Sequence, residues 1–153
     1  MWHDPVNVLA LGLGSGLAPV APGTFGTLVA IPLYWWLAAL PLPIYVASVA
    51  LMCLLGIGIC ARANRSLQTQ DHPGVVWDEI CGYLITMIAV PRSWPWMVAG
   101  FCLFRLFDIV KPWPISVADR RVGGGFGVML DDMIAGVFAM AALHTALWAL
   151  STW

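Results

Sequence analysis

Apolar runs separated by proline pairs and short polar stretches set the plan of this chain. Residues 1–23 are apolar but irregular, because Gly12, Gly14, Gly16, Pro19, Pro22 and Gly23 oppose a long helix. A short helix through about Val6–Gly12 and then a packed loop are predicted there. Thr24 is placed to cap the run 25–40, which Pro41 and Pro43 turn into a second run, 44–61. The two make a helical hairpin. Residues 62–77 read as a water-facing polar loop. Residues 80–91 form a run of only about 18 Å at 1.5 Å per residue, too short to cross a bilayer. With 96–110 it makes a second hairpin that crosses in part. Residues 111–132 are polar again, with a flexible loop at Gly123–Gly127, and Asp131-Asp132 open a last helix at about 132–150.

Composition turns this into a membrane protein. Hydrophobic residues make up 61% of the 153 and charged ones 10%, with no charge between Asp4 and Arg62. Soluble chains carry roughly a quarter charged residues. The expectation is one domain over 1–153: an all-α, compact multi-helical integral membrane bundle with two central buried helices, short membrane helices and polar loops on one face. The N-terminus has no basic leader, so no signal peptide is expected. Arg62 and Arg65 place the first polar loop on the cytoplasmic side. Trp35, Trp36, Trp94, Trp96, Trp113, Trp148 and Trp153 suit interfacial belts. A net charge of −1 without a basic patch argues against nucleic acid. Cys53, Cys60, Cys81 and Cys102 all lie inside apolar runs and read as buried free thiols.

The charges that remain are clustered. Arg105, Asp108 and Lys111 follow at i, i+3, i+6 and share one helical face, which Pro112 ends, with Pro114 keeping the chain extended. Asp78-Glu79 and Asp131-Asp132 also stand at the edges of apolar runs. Counting helices as alternately outgoing and returning puts all three clusters, the Gly/Pro segment and the Gly-rich loop on one face. Crowded carboxylates repel unless a cation sits among them. Magnesium favours hard oxygen ligands shared with substrate phosphate, and Arg105 and Lys111 could hold the phosphate oxygens. The pattern points to metal-dependent phosphoryl transfer at a membrane surface. Interfacial anchoring of helix ends is the plainer account of any one cluster. Of the histidines, His3, His72 and His144 have no i, i+4 ligand partner; His144 reads as a core residue and His72 as part of a solvated loop. With no cysteine-phosphatase loop and no D-x-D pair, water is the nucleophile left. A CDP-alcohol-type phosphotransferase would show D-G-x-x-A-R, which is absent. A small membrane transporter or subunit would place ionisable groups in mid-helix.

Four segments carry a resemblance: Gly14-Ser15-Gly16-Leu17-Ala18-Pro19 through Ala21-Pro22-Gly23-Thr24-Phe25-Gly26; Val76-Trp77-Asp78-Glu79 with Gly82; Phe104-Arg105, Asp108, Lys111-Pro112-Trp113-Pro114-Ile115 and Asp119; and Gly124 to Asp132 with Ala135-Gly136. In order and spacing they resemble the phosphatidylglycerophosphatase A family over nearly the whole chain. The resemblance implies a magnesium-dependent lipid phosphatase of the bacterial inner membrane that converts phosphatidylglycerophosphate to phosphatidylglycerol at the cytoplasmic face. It implies Asp78, Glu79, Asp108, Asp131 and Asp132 as metal ligands and water activators, Arg105 and Lys111 as phosphate holders, and Thr24 with the Gly/Pro segment as a closure of the pocket.

Overall fold

The computed structural model describes residues 4–69 and 72–151; His3 and Trp153, named above, lie outside the described residues. The chain is all-α, with no strand among the described residues. After α1 (Pro5–Ala10) and a kinked 3₁₀ segment (Gly12–Leu17) come α2 (Pro22–Leu37), α3 (Leu42–Ser66), α4 (Trp77–Thr86), α5 (Trp94–Val110), α6 (Ile115–Arg121) and α7 (Gly124–Ser151). The prolines that punctuate the sequence act mainly as helix starters. Pro5, Pro22, Pro43 and Pro95 occupy the first two positions of α1, α2, α3 and α5, where a missing N–H costs nothing.

α4 and α7 form the centre. α7 packs on α3, α4, α5 and α6, while α4 touches α2, α3, α5 and α7. Eight residues of the 10-residue α4 are buried. Its tight fit on α7 comes from two glycines. A Cβ on Gly136 would lie 2.5 Å from the Gly82 carbonyl oxygen, and one on Gly82 would lie 2.9 Å from the Asp132 carbonyl oxygen. Only bare backbone permits so close a crossing.

Helices alternate in direction, so the bundle has two ends. α2 starts, α3 finishes, α4 starts, α5 finishes and α7 starts at the polar end. At the far end the α2–α3 turn lies beside the α4–α5 connection, joined by a hydrogen bond from the Tyr34 hydroxyl to the Val90 carbonyl at 3.1 Å. α3 and α7, of 25 and 28 residues, are long and apolar enough to cross a membrane, and only 28% and 22% of their most apolar windows are buried within the chain. Mostly exposed apolar helices suit a lipid surround better than a soluble core. The tryptophans Trp36, Trp94, Trp113 and Trp148 are exposed.

Several local expectations change. Residues 62–66 extend α3 rather than opening a loop. Thr24 does not cap α2; the cap is Ala21 in a left-handed conformation, and Thr24 lies inside the first turn. The glycine run is helical: α7 begins at Gly124, so Asp131-Asp132 stand two turns inside it. Packing supplies the reason, since a Cβ on Gly125 would lie 2.1 Å from the Ile57 carbonyl of α3. Pro114 is in a turn, with the Trp113–Pro114 bond cis, and the unpredicted α6 follows. Cys53, Cys60 and Cys81 are buried, but Cys102 is exposed on α5. His144 is a satisfied packing residue, its Nε2 2.8 Å from the Ile88 carbonyl.

A buried carboxylate cavity as candidate active site

Three helix ends deliver the charged side chains. The first turn of α4 carries Asp78 and Glu79. Pro112 excludes right-handed helix at Lys111, which turns left-handed (φ 44°, ψ 58°) and ends α5 just after Arg105 and Asp108. The Gly82–Gly136 crossing holds α7 so close to α4 that Asp132 meets the acidic pair. One ligand oxygen from each of Asp78, Glu79 and Asp132 lies within 4.8 Å of the others. Asp78, Asp108, Asp131 and Asp132 are all buried. They line a cavity of about 530 Å³ together with Glu79, Arg105, Lys111, Ala21, Pro22 and Gly23.

Two cations partly compensate this charge. The Arg105 guanidinium donates to Asp108 Oδ2 and lies 4.0 Å from Glu79 Oε1. The Lys111 ammonium donates to Asp119 Oδ1 at 2.6 Å and to Asp131 Oδ2. Burial alone would pull the Lys111 pKa down; the hydrogen bonds to Asp119 and Asp131 override it and hold it above the usual lysine value. Burial pushes the Glu79 carboxyl up to about 8, reinforced by the charges of Asp132 and Asp108 against the hydrogen bond with Asp78 and the charge of Arg105.

The compensation is incomplete. Among the described residues four buried side-chain polar atoms lack a partner, and three are here: Glu79 Oε2, Asp132 Oδ2 and Arg105 Nε. A fold at rest rarely tolerates such a set, since each unpaired buried group costs about 1–3 kcal/mol, more for charged ones. Two orphaned carboxylate oxygens beside an unused guanidinium N–H could take a hard cation and an anion together. The donor set, all carboxylate oxygen, suits magnesium.

All three sequence clusters therefore converge: Asp78, Glu79, Arg105, Asp108, Lys111, Asp131 and Asp132 line one cavity. Thr24 is half-buried and does not line it; its neighbours Ala21, Pro22 and Gly23 do. A Cβ on Gly23 would come within 2.2 Å of Glu79 Oε1, so the glycine keeps this wall open. His72 is half-buried at the cavity rather than in a solvated loop. Its backbone N–H donates to Asn64 Oδ1 at 3.1 Å, and its Nδ1 accepts from the Gly74 N–H at 3.0 Å, which leaves the ring proton of the neutral form on Nε2. The loop is pinned by close approach of Gly16 to Gly74 and by the Val76 N–H bond to the Ala10 carbonyl. The Gly-Ser-Gly segment thus acts through backbone packing. Sequence reading also passed over Arg120 and Arg121 at the cavity mouth, whose only signal was a basic pair beside a glycine run.

Known proteins bear on this arrangement. The sequence profile of a family described as Phosphatidylglycerophosphatase A matches residues 8–147. The chain belongs to the phosphatidylglycerophosphatase A family. Membership makes it an enzyme, a hydrolase of a phosphoric monoester, and together with α3 and α7 it makes the chain a membrane protein. It is 43% identical over 142 residues to Phosphatidylglycerophosphatase A of Escherichia coli (strain K12), covering 92% of this chain and 83% of that one. It is 42% identical over 139 residues to the protein of the same name from Haemophilus influenzae, covering 90% and 85%. A relative from Bacteroides thetaiotaomicron, named as a candidate phosphatidylinositol-3-phosphatase, is 39% identical over 151 residues and 94% of each chain. No solved structure matches.

Proposed function

We propose that this protein hydrolyses phosphatidylglycerophosphate to phosphatidylglycerol and inorganic phosphate, with magnesium, at the cytoplasmic face of the bacterial inner membrane. The observation that carries the reading is the trio Asp78, Glu79 and Asp132, buried together with two carboxylate oxygens unpaired, beside an unpaired N–H of Arg105. The substrate follows the names of the 43% and 42% identical relatives. The Bacteroides relative's named substrate is chemically parallel, since both lipids carry one phosphodiester and one terminal phosphomonoester. Orientation follows the basic residues: of the seven Lys and Arg, all but Arg92 belong to the cavity end, and the basic end of a membrane protein faces the cytoplasm.

Asp78, Glu79 and Asp132 would hold the magnesium ion, with Asp108 and Asp131 close behind. The ion supplies positive charge and Lewis acidity to the phosphoryl oxygens. The chain's own residues do the rest. Arg105, already oriented by Asp108, turns its unused N–H to the phosphate and balances charge as the group transfers. Lys111 holds Asp131 and Asp119 in place with two of its three N–H donors, which leaves one for the phosphate. Water attacks phosphorus in line while a carboxylate takes its proton, the P–O bond to glycerol breaks, and the leaving glycerol oxygen receives a proton back from that carboxyl, so that glycerol departs as a hydroxyl and the carboxylate is restored.

The test is phosphate release from phosphatidylglycerophosphate by purified protein in detergent, with magnesium, with EDTA, and with Asp131→Asn/Asp132→Asn. Release that needs magnesium and disappears in the variant is expected. Equal release in EDTA would remove magnesium from the reading, and no release by folded wild type would remove the substrate.

A further inference from the structure

We infer that the cavity holds two phosphate stations, with Arg120 and Arg121 at its mouth binding the phosphodiester of a lipid headgroup whose terminal phosphomonoester lies at the carboxylates. The inference rests on the phosphatase reading above and adds how the substrate class is chosen.

The cavity is stratified. Its floor is the buried carboxylate set, with Arg105 only 14% exposed at its side chain. Its mouth carries Arg120 and Arg121, both exposed, on the last turn of α6. The inner cations are paired with the floor carboxylates, Arg105 with Asp108 and Glu79 and Lys111 with Asp119 and Asp131, and the donors they have left face the floor rather than the mouth. Among the described residues the guanidinium groups of Arg120 and Arg121 make no ion pair, unlike Arg105 and Lys111. A guanidinium offers two parallel donors to phosphate oxygens, which a lysine does not.

Two further observations suit a ligand that reaches from floor to mouth. The cavity, at about 530 Å³, falls in the range that encloses a whole small ligand, far more than one phosphate needs. And α6 is a held element. Ile115 and Ala118 are buried, the helix packs on α7, and the Lys111–Asp119 bridge ties it to the end of α5. The backbone that carries the arginines is therefore anchored beside the carboxylates, and both side chains line the same cavity. A plainer role, balancing the C-terminal dipole of α6 or attracting an anionic membrane, would not distinguish one soluble headgroup from another.

That difference is the test. KM and kcat are measured on phosphatidylglycerophosphate in uncharged detergent micelles for the wild type, for Arg120→Gln/Arg121→Gln and for Arg120→Lys/Arg121→Lys. The deacylated two-phosphate headgroup and glycerol phosphate are titrated as competitors. Loss of charge-assisted bonds predicts a rise in KM of about tenfold in the glutamine pair, with the loss carried by KM rather than kcat. The inhibition constant of the two-phosphate headgroup rises in parallel, that of glycerol phosphate does not, and the lysine pair recovers only part. An unchanged KM overturns the inference. So does a raised KM with an unchanged inhibition constant for the soluble headgroup, which would make the arginines a membrane-surface contact, and so does a loss confined to kcat. A wild type that releases no phosphate from this lipid would instead sink the phosphatase reading, and the two-station arrangement with it.

Discussion

The two ends of the bundle both bury polar groups, and they handle them in opposite ways. At the far end three tyrosines surround the place where α4 stops. The hydroxyls of Tyr34, Tyr45 and Tyr83 donate to the carbonyls of Val90, Leu84 and Met97 at 3.1, 2.7 and 3.1 Å. Thr86 donates to Gly82 and Gly136, and His144 meets the Ile88 carbonyl. A helix ending among apolar neighbours leaves its last carbonyls without backbone partners. Tyr45 of α3 serves Leu84 at the end of α4, and Tyr34 of α2 and His144 of α7 serve Val90 and Ile88 in the connection that follows. The rings pack edge to face, Tyr34 lying 6.2 and 6.3 Å from Tyr45 and Tyr83. At the cavity end the same fold gathers carboxylates and leaves Glu79, Asp132 and Arg105 with unmet atoms. Polar burial that serves folding is satisfied internally; polar burial that serves chemistry is left open for what arrives from outside.

The contrast can be broken from either side. The largest effect belongs to the open end. Asp132→Asn should lower phosphate release by at least about a hundredfold, yet leave the thermal midpoint in EDTA unchanged or raised, because it removes one of several crowded negative charges. A midpoint that falls with the activity would show that Asp132 serves folding. Next is the crossing that creates the site. Gly82→Ala puts a methyl group about where a Phe104 ring carbon stands 2.4 Å away, and should cost about 1–3 kcal/mol of stability by overpacking, with activity falling because α4 and α7 are pushed apart. Thermal unfolding and phosphate release measured on the same preparation check both halves.

Smaller effects belong to the satisfied end. Tyr45→Phe leaves the Leu84 carbonyl unpaired and should cost about 1 kcal/mol, read as a lower unfolding midpoint in detergent, without moving KM for the lipid. Altered kinetics there would mean that the two ends are coupled through α4. Smallest of all is Arg92→Gln. Arg92 lies 4.2 Å above the Trp35 ring, which itself stacks on Trp94, and loss of this exposed contact should cost no more than about 1 kcal/mol, near the limit of a thermal midpoint.

Legibility in the sequence followed the same division. The acidic clusters were readable because charge is rare in this chain, so each exception stood out against its apolar run, and the alternation of runs was enough to place them on one face. The tyrosine cage was not readable. Tyr34, Tyr45 and Tyr83 sit in apolar runs where an aromatic is unremarked, and their carbonyl partners have no sequence signature at all. Nor could the glycine run declare itself. Gly123 to Gly127 has the composition of a flexible loop, yet from Gly124 on it is the first turn of α7, where α3 approaches too closely for a side chain at Gly125. His72 was misplaced for a related reason: its loop is polar, but Gly74 and Val76 pin it against the opening segment.

What the sequence determined by itself was the class of molecule and the chemistry it carries. Long uncharged runs are unstable in water whatever their neighbours, and clustered carboxylates among them need a cation or cationic side chains beside them. The tertiary structure alone decided which carboxylates meet. Asp78 and Glu79 reach Asp132 because two bare backbones cross at Gly82 and Gly136, while Asp131, one residue away on the same helix, turns to Lys111. One position along a helix rotates a side chain by about 100°. Membership of the trio is therefore a matter of helix packing, to which the order of residues along the chain is blind.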